Sequence, residues 1–322
     1  FSTHRQLIME IKSIVTILLF SILGVSLGAN ASIISSDDPW VDATEGITSG
    51  STAITWFPAN QNNSSSSTLD HAQTIIEVYT ATWCETCIPA EEALNATITD
   101  YDVKVVKYHR HLFETEDPFG NNNTEGRWLS RYGPSAVQAD FNARTPPTVI
   151  FGGERMHIGS YPTAGVSLEE EYSTSLDSIM RPPISNSSEF TFTWEDGTFE
   201  WSWNWEEDIT ACRSNCDTVS TELYMMIVED TAFFPEGSNG EEYYHRILRD
   251  VIPLGNNSIE YILPQAWDDD DVSILIVLDW QESQSEETFL EVIPSLAVEL
   301  VIIGLVFTAF ITPIEAEKRR VQ

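Results

Sequence analysis

Two cysteines separated by two residues, in Trp83-Cys84-Glu85-Thr86-Cys87, follow a β-rich run and open a helical one. At a helix start this spacing lets the sulfurs close a tight disulfide ring. The partial positive charge of the helix N-terminus favours a thiolate on Cys84, and Cys87 can attack a mixed disulfide to release product. The expected chemistry is dithiol–disulfide exchange, with Cys84 attacking, Cys87 resolving and Trp83 offering a flat apolar contact. His109 and His111, at the end of a second predicted strand, are candidates for proton transfer, as is Glu77. A histidine together with the two sulfurs would also suit copper or zinc, but exchange needs no cofactor and none is assigned. Cys212 and Cys216, in a polar loop, read as a small structural disulfide.

These residues need elements to hold them. The pattern predicts a strand at Thr74–Thr80, a helix at Glu85–Ile98, a strand at Val103–Tyr108 and a short helix at Gly126–Tyr132. A hairpin pairs Thr148–Phe151 with Arg155–Ile158, and Ser167 with Glu170 forms a capping box for a last helix that stops before Pro182-Pro183. Beyond it, Phe190, Phe192 and Trp194 alternate with polar residues. Asp196-Gly197 makes a turn, and Phe199, Trp201, Trp203 and Trp205 alternate again. The expected fold is an α/β unit, with a mixed sheet and helices on both faces, over 72–182, followed by an all-β sandwich over 183–290. Residues 32–71, rich in Ser, Asn and Asp, read as a polar linker with one short strand, Ala53–Phe57.

The WCxxC after a strand, Thr145-Pro146-Pro147-Thr148 before the Val149-Ile150-Phe151 strand, and this element order together resemble the thioredoxin superfamily. The resemblance covers roughly 72–182. It implies that Pro147 is a cis-proline lying against the CxxC, where its preceding backbone would orient an extended substrate segment. One departure is Val78, where thioredoxin keeps a buried Asp that helps move protons; Glu77 is next to it but points to the other side of the strand. Ile76-Glu77-Val78-Tyr79-Thr80, Arg127 with Tyr132-Gly133, Glu229-Asp230 and Tyr244-His245-Arg246-Ile247-Leu248-Arg249 are similar to bacterial outer-membrane proteins that join a thioredoxin-like domain to a β-sandwich.

The 322 residues carry 16 Lys+Arg against 50 Asp+Glu, a net charge of −34 that excludes nucleic-acid binding. Residues 1–31, with the apolar run Ile14–Leu27 and Ala29-Asn30-Ala31, read as a signal peptide; 1–8 precede Met9, the expected true start. Leu296–Ile314, within 291–314, reads as a transmembrane helix, followed by a basic cytoplasmic tail at 315–322. Sequons at Asn62, Asn63, Asn95, Asn122, Asn186 and Asn256 suit a glycosylated outer face. The expectation is a single-pass membrane oxidoreductase with its main part extracytoplasmic, acting on cysteines of exported proteins. Its span holds no cysteine, so a separate membrane or soluble redox partner supplies electrons. The alternatives are a surface binding module with an inert bridge, or a Cys/His metallochaperone.

Overall fold

The computed structural model of the chain describes residues 38–283, apart from 164, 214, 215 and 256. β1 (Val41–Asp42), β2 (Ser49–Pro58) and β3 (Asn63–Thr68) precede β4 (Gln73–Thr80), which leads through a short turn into α1 (Cys87–Thr97) and on to β5 (Val103–His109). Helices α2 (Asn122–Arg131) and α3 (Gly133–Gln138), the hairpin β6 (Thr148–Phe151) and β7 (Arg155–Ile158), and α4 (Leu168–Asp177) follow. The rest is strand: β8 (Glu189–Glu195), β9 (Thr198–Asn204), β10 (Thr218–Phe233), β11 (Tyr243–Pro253), β12 (Ser258–Glu260) and β13 (Val272–Ser283).

One sheet runs in the order β1-β7-β6-β4-β2-β13-β10-β11-β5, and β5 also pairs with β4. That second pairing closes β4, β2, β13, β10, β11 and β5 into a six-stranded barrel. Side chains alternate across each strand, so each wall has two faces with different jobs. Inward, Ile75, Tyr79, Val106, Tyr108, Met226, Val228, Leu275 and Val277 form the barrel core, joined by Trp128 of α2 and by Tyr132, between α2 and α3. Outward, Met225, Ile227, Ile274, Ile276, Leu278 and Trp280 meet Phe190, Phe192, Trp194, Phe199 and Trp201 of a second sheet, ordered β12-β9-β8-β3. On the opposite wall, Ile76, Val78, Val105, Val149 and Phe151 are covered by Ala90, Ala93 and Leu94 of α1 and Leu168, Tyr172 and Leu176 of α4.

The local elements lie close to where the pattern puts them, but the architecture does not. The described chain is mostly β around a closed barrel, with few helices, not an α/β unit with helices on both faces followed by a separate sandwich. The reason is edge pairing. β5 would be a free edge in a self-contained α/β sheet; here Lys107 pairs with Ile247 of β11. β4 lies between β5 and β6, but its first two residues extend past β6 and are met by β2, through Thr52↔Thr74 and Ala53↔Gln73; β2 comes from the segment expected as a linker. Unpaired strand edges carry unsatisfied N–H and C=O groups, and closing a barrel removes them. Among the described residues no helix is long and apolar enough to cross a membrane, so the single-pass placement expected from the sequence is not supported. The segments 1–31, 291–314 and 315–322 lie outside the described residues.

Polar side chains cross the barrel core where alternation would otherwise put only apolar ones. α2 starts at a capping box, in which the Asn121 side chain accepts from the N–H of Asn123 and Thr124. It then delivers Arg127 and Arg131 to Asp279 of β13, at 2.7 Å and 2.9 Å. Ser51 of β2 donates to the same carboxylate at 2.7 Å. Arg127 also donates from Nε to the Tyr108 hydroxyl at 3.1 Å and lies 3.5 Å from Glu77 of β4. Burial opposes the ionised form of Asp279, but the charges of Arg127 and Arg131 and the hydrogen bonds outweigh it and hold the carboxyl below its ordinary value.

Removing that carboxylate would leave the buried Arg127 and the half-buried Arg131 guanidinium groups short of a partner. Asp279→Ala should therefore cost about 3–5 kcal/mol of unfolding free energy; a urea titration showing less than about 1 kcal/mol would mean the pairing is not structural. A second test uses pH. Glu154, in the β6–β7 turn, is buried; one carboxylate oxygen accepts from the Met180 N–H at 3.0 Å and the other has no hydrogen-bond partner. Burial pushes it from 4.5 up to about 7, with the Met180 hydrogen bond and the charges of Arg155 and Arg213 opposing. A raised carboxyl contributes stability below its unfolded value and loses it as pH rises through the folded one. Glu154→Gln should thus gain on wild type between pH 4.5 and 7, reaching on the order of 3 kcal/mol above pH 7, with little difference below pH 4.5. A wild-type-minus-variant difference flat with pH would contradict the shift.

Candidate functional site

β4 ends at Thr80, and the chain turns at once: the Cys84 N–H donates to Ala81 O at 3.0 Å and the Cys87 N–H to Cys84 O at 3.1 Å. α1 therefore begins at Cys87 itself. Cys84 and Cys87 are joined by a disulfide, S–S 2.07 Å, with Cα atoms 5.3 Å apart. The pair is asymmetric, with Cys84 keeping 3% of its surface exposed and Cys87 none. Trp83 is half-buried; its Nε1 donates to Glu114 at 2.8 Å, and the Arg110 guanidinium stands 5.5 Å above its ring. Pro146–Pro147 is a cis peptide bond. β6 pairs with β4 through Tyr79↔Thr148, so Pro147, just before β6, sits at the sheet end where β4 releases the cysteines.

His109 lies at the same end, in register with Thr80. It is only 1% exposed, its Nδ1 is 2.8 Å from Asp117, and its Nε2 is buried with no hydrogen-bond partner. Its ring packs edge-on against Phe119 and Tyr244. His111 is half-buried, and its backbone N–H donates to Glu125 at 2.9 Å. Glu77 does not join this group: it points inward and accepts from the hydroxyls of Tyr108, at 2.6 Å, and Tyr132. Trp83, Cys84, Cys87, Pro147 and His109 thus share one sheet end, while Glu77 belongs to the barrel core.

Three contributors carry no chemical role that the sequence assigns. Asp117 is buried and accepts from the backbone N–H of Thr82 at 2.9 Å and of Phe119 at 3.1 Å, as well as facing His109. An Asp-Pro pair in a loop signals a turn, and nothing local says that its carboxylate faces inward. Glu91, one helical turn after Cys87, pairs with Lys107 of β5 and accepts from Thr80 Oγ1 at 2.8 Å. Burial opposes its charge, but Lys107 and the hydrogen bonds win and hold its pKa below the ordinary carboxyl value, so the charged form is favoured. The i,i+4 spacing from Cys87 was the available signal. The third is the β10–β11 connection: the Asn239 N–H donates to Thr82 O at 3.1 Å, and the Tyr244 hydroxyl lies 3.2 Å from the same oxygen. Gly237 is needed there, since a Cβ would fall 2.0 Å from the Tyr244 hydroxyl. A cavity of about 240 Å³ opens beside α1, with Glu91, Lys107, His109, Tyr244 and His245 among its walls.

Cys212 and Cys216 are also bonded to each other. With Glu282 they form the one group of three metal-capable side chains, among the described residues, whose ligand atoms lie within 4.8 Å of one another. Sulfurs bonded to each other are not thiolates, so in this bonded state they offer no metal ligand. No such group includes Cys84 or Cys87. His157 Nε2 lies 2.7 Å from Ser175 Oγ and its Nδ1 3.8 Å from Glu171, residue types that do nucleophilic chemistry elsewhere. All three are buried, and burial followed by the charge of Arg155 lowers His157 to about 3, so it is a neutral core histidine.

Asp117 carries the clearest structural test of the site. Asp117→Ala would strip partners from two backbone N–H groups and from His109, and should cost about 2–4 kcal/mol in urea unfolding. A loss under about 0.5 kcal/mol would show that these hydrogen bonds do not hold the segment before Cys84.

Compared with known proteins, the chain matches no family model and no curated protein. Among solved structures it is similar to protein AGR_C_4864 of Agrobacterium tumefaciens, with 15% identity and a TM-score of 0.36, over 63% of this chain and 77% of that one. It is also similar to HBP35 of Porphyromonas gingivalis, with 14% identity and a TM-score of 0.31, over 64% of this chain and 63% of that one.

Proposed function

We propose that this protein exchanges thiols and disulfides with cysteine-containing proteins through Cys84 and Cys87. The observation that carries the reading is a bonded Cys84–Cys87 pair at the entry to α1, with Cys84 3% exposed and Cys87 fully buried. The cis Pro146–Pro147 bond at the same sheet end supports it, as does the likeness of these two features to the thioredoxin superfamily. That likeness concerns the chemistry of the site and not the surrounding barrel.

In the reducing direction a dithiol donor first opens the Cys84–Cys87 bond, passing two electrons and two protons. The Cys84 thiolate then attacks a client disulfide; a mixed disulfide forms and one client thiol leaves. Cys87 loses its proton and attacks the Cys84 sulfur, which re-forms the internal bond and frees the second client thiol. Two electrons have moved to the client, and the reverse sequence oxidises it. This reading assigns the proton-accepting role to His109, whose Nδ1 is held by Asp117 and whose Nε2 is uncommitted. Trp83 gives the client an apolar surface beside Cys84, and Pro147 orients its backbone.

Insulin reduction driven by dithiothreitol tests this. Wild type should accelerate turbidity, Cys84→Ser should fall to the uncatalysed rate, and Cys87→Ser should accumulate a mixed disulfide visible by non-reducing mass spectrometry. Equal rates for wild type and Cys84→Ser would reject the reading and leave the bridge a structural staple in a binding module.

A further inference from the structure

Phe113 breaks two rules at once. Its side chain is 100% exposed, and its backbone sits at φ 60°, in the left-handed region that suits glycine or asparagine and strains a bulky residue. A turn that only needed this backbone shape would be better served by glycine, and a solvent-facing position by a polar side chain.

The conformation is nevertheless firmly imposed. Before it, the N–H groups of His111 and Leu112 both donate to Glu125, and Leu112 O accepts from Arg144. After it, the Glu114 N–H donates to His111 O at 2.9 Å, and the Glu114 carboxylate accepts from the N–H of Thr115 and Glu116 and from Trp83 Nε1. The turn is thus tied on one side to Trp83, beside Cys84, and through Arg144 to the segment that reaches the cis Pro146–Pro147 bond two residues later. Strain held by surrounding hydrogen bonds, at a position that presents an unpartnered aromatic ring, points to a contact made outside the molecule.

We infer that Phe113 is a docking residue for an extended client segment that carries an apolar side chain and a positive charge near its cysteine. The charge follows from the surroundings: Glu85, next to Cys84, and Glu116, in the Phe113 turn, are both exposed on a chain of net charge −34. A second copy of the same chain, equally negative, is a poor occupant, and so is an anionic lipid surface. The inference deepens the exchange reading by naming its substrate class and rests on it for the chemistry, but docking can be measured without chemistry.

The binding arm uses a fluorescein-labelled peptide with Leu and Lys flanking a serine in place of cysteine, and a control with Ser and Asp at the flanks. Wild type should bind the first and discriminate against the second. Phe113→Ala and Phe113→Gly should each weaken the first by about tenfold. Phe113→Gly relieves the backbone strain, so its Tm should not drop, which separates lost docking from misfolding. In the kinetic arm, the kcat/KM ratio for the corresponding peptide disulfide over hydroxyethyl disulfide should fall about tenfold in both variants. Equal peptide affinity in wild type and both variants would overturn the inference. So would equal binding of the two peptides, or a wild-type dimer that Phe113→Ala converts to monomer, which would make a second copy the occupant. If wild type binds the Leu/Lys peptide but exchanges neither disulfide, the docking stands and the exchange reading falls.

Discussion

A buried carboxylate shared by two arginines organises this protein. Asp279 on β13 accepts both Arg127 and Arg131 of α2, and Arg127 continues to Tyr108 and towards Glu77. Two positive and two negative groups taken from water together are tolerable only if each finds its partner, so the group has one workable arrangement. Burial, followed by the charge of Glu77, keeps the Tyr108 and Tyr132 hydroxyls protonated, which leaves them as donors to Glu77. The network therefore fixes α2 against β4, β5 and β13 at once, and β13 lies more than a hundred residues further along the chain than α2.

The candidate site inherits that geometry through strand alternation. On β4, Glu77 points into the network while Val78 faces α1, and the strand then releases the cysteines. On β5, Tyr108 points inward and the next residue, His109, turns to the site. Locking the inward residues sets the outward ones by the two-residue period. The remaining freedom is the turn from Ala81 to Thr86, and two separate loops hold it: Asp117 grips the Thr82 N–H and the β10–β11 connection grips its carbonyl. A disulfide placed by rigid elements and gripped by remote loops has a reproducible sulfur geometry.

The surface around the cysteines is not uniform. Arg110 and Glu114 brace Trp83, exposed Glu85 adds negative charge beside Cys84, and a strained turn displays Phe113. Apolar and acidic groups thus lie side by side around the cysteines.

Much of the local structure was written in the sequence. The strand before Cys84, the helix at Cys87, the Thr148–Ile158 hairpin, the helix capped by Ser167 and the alternation around Asp196-Gly197 depend on periodicity and on capping or turn residues within a few positions of one another. The spacing of Cys84 and Cys87 sufficed for a disulfide, as did that of Cys212 and Cys216. What only the tertiary structure decided was where strand edges go. β5 takes β11 as a neighbour and β4 takes β2, closing a barrel in place of two independent units. Edge pairing joins backbone groups that are alike at every residue, so no side-chain pattern announces the partner. The same limit hid Asp117, Asn239 and Tyr244: each reaches Thr82 through space, and its sequence neighbours describe only an ordinary loop or strand end.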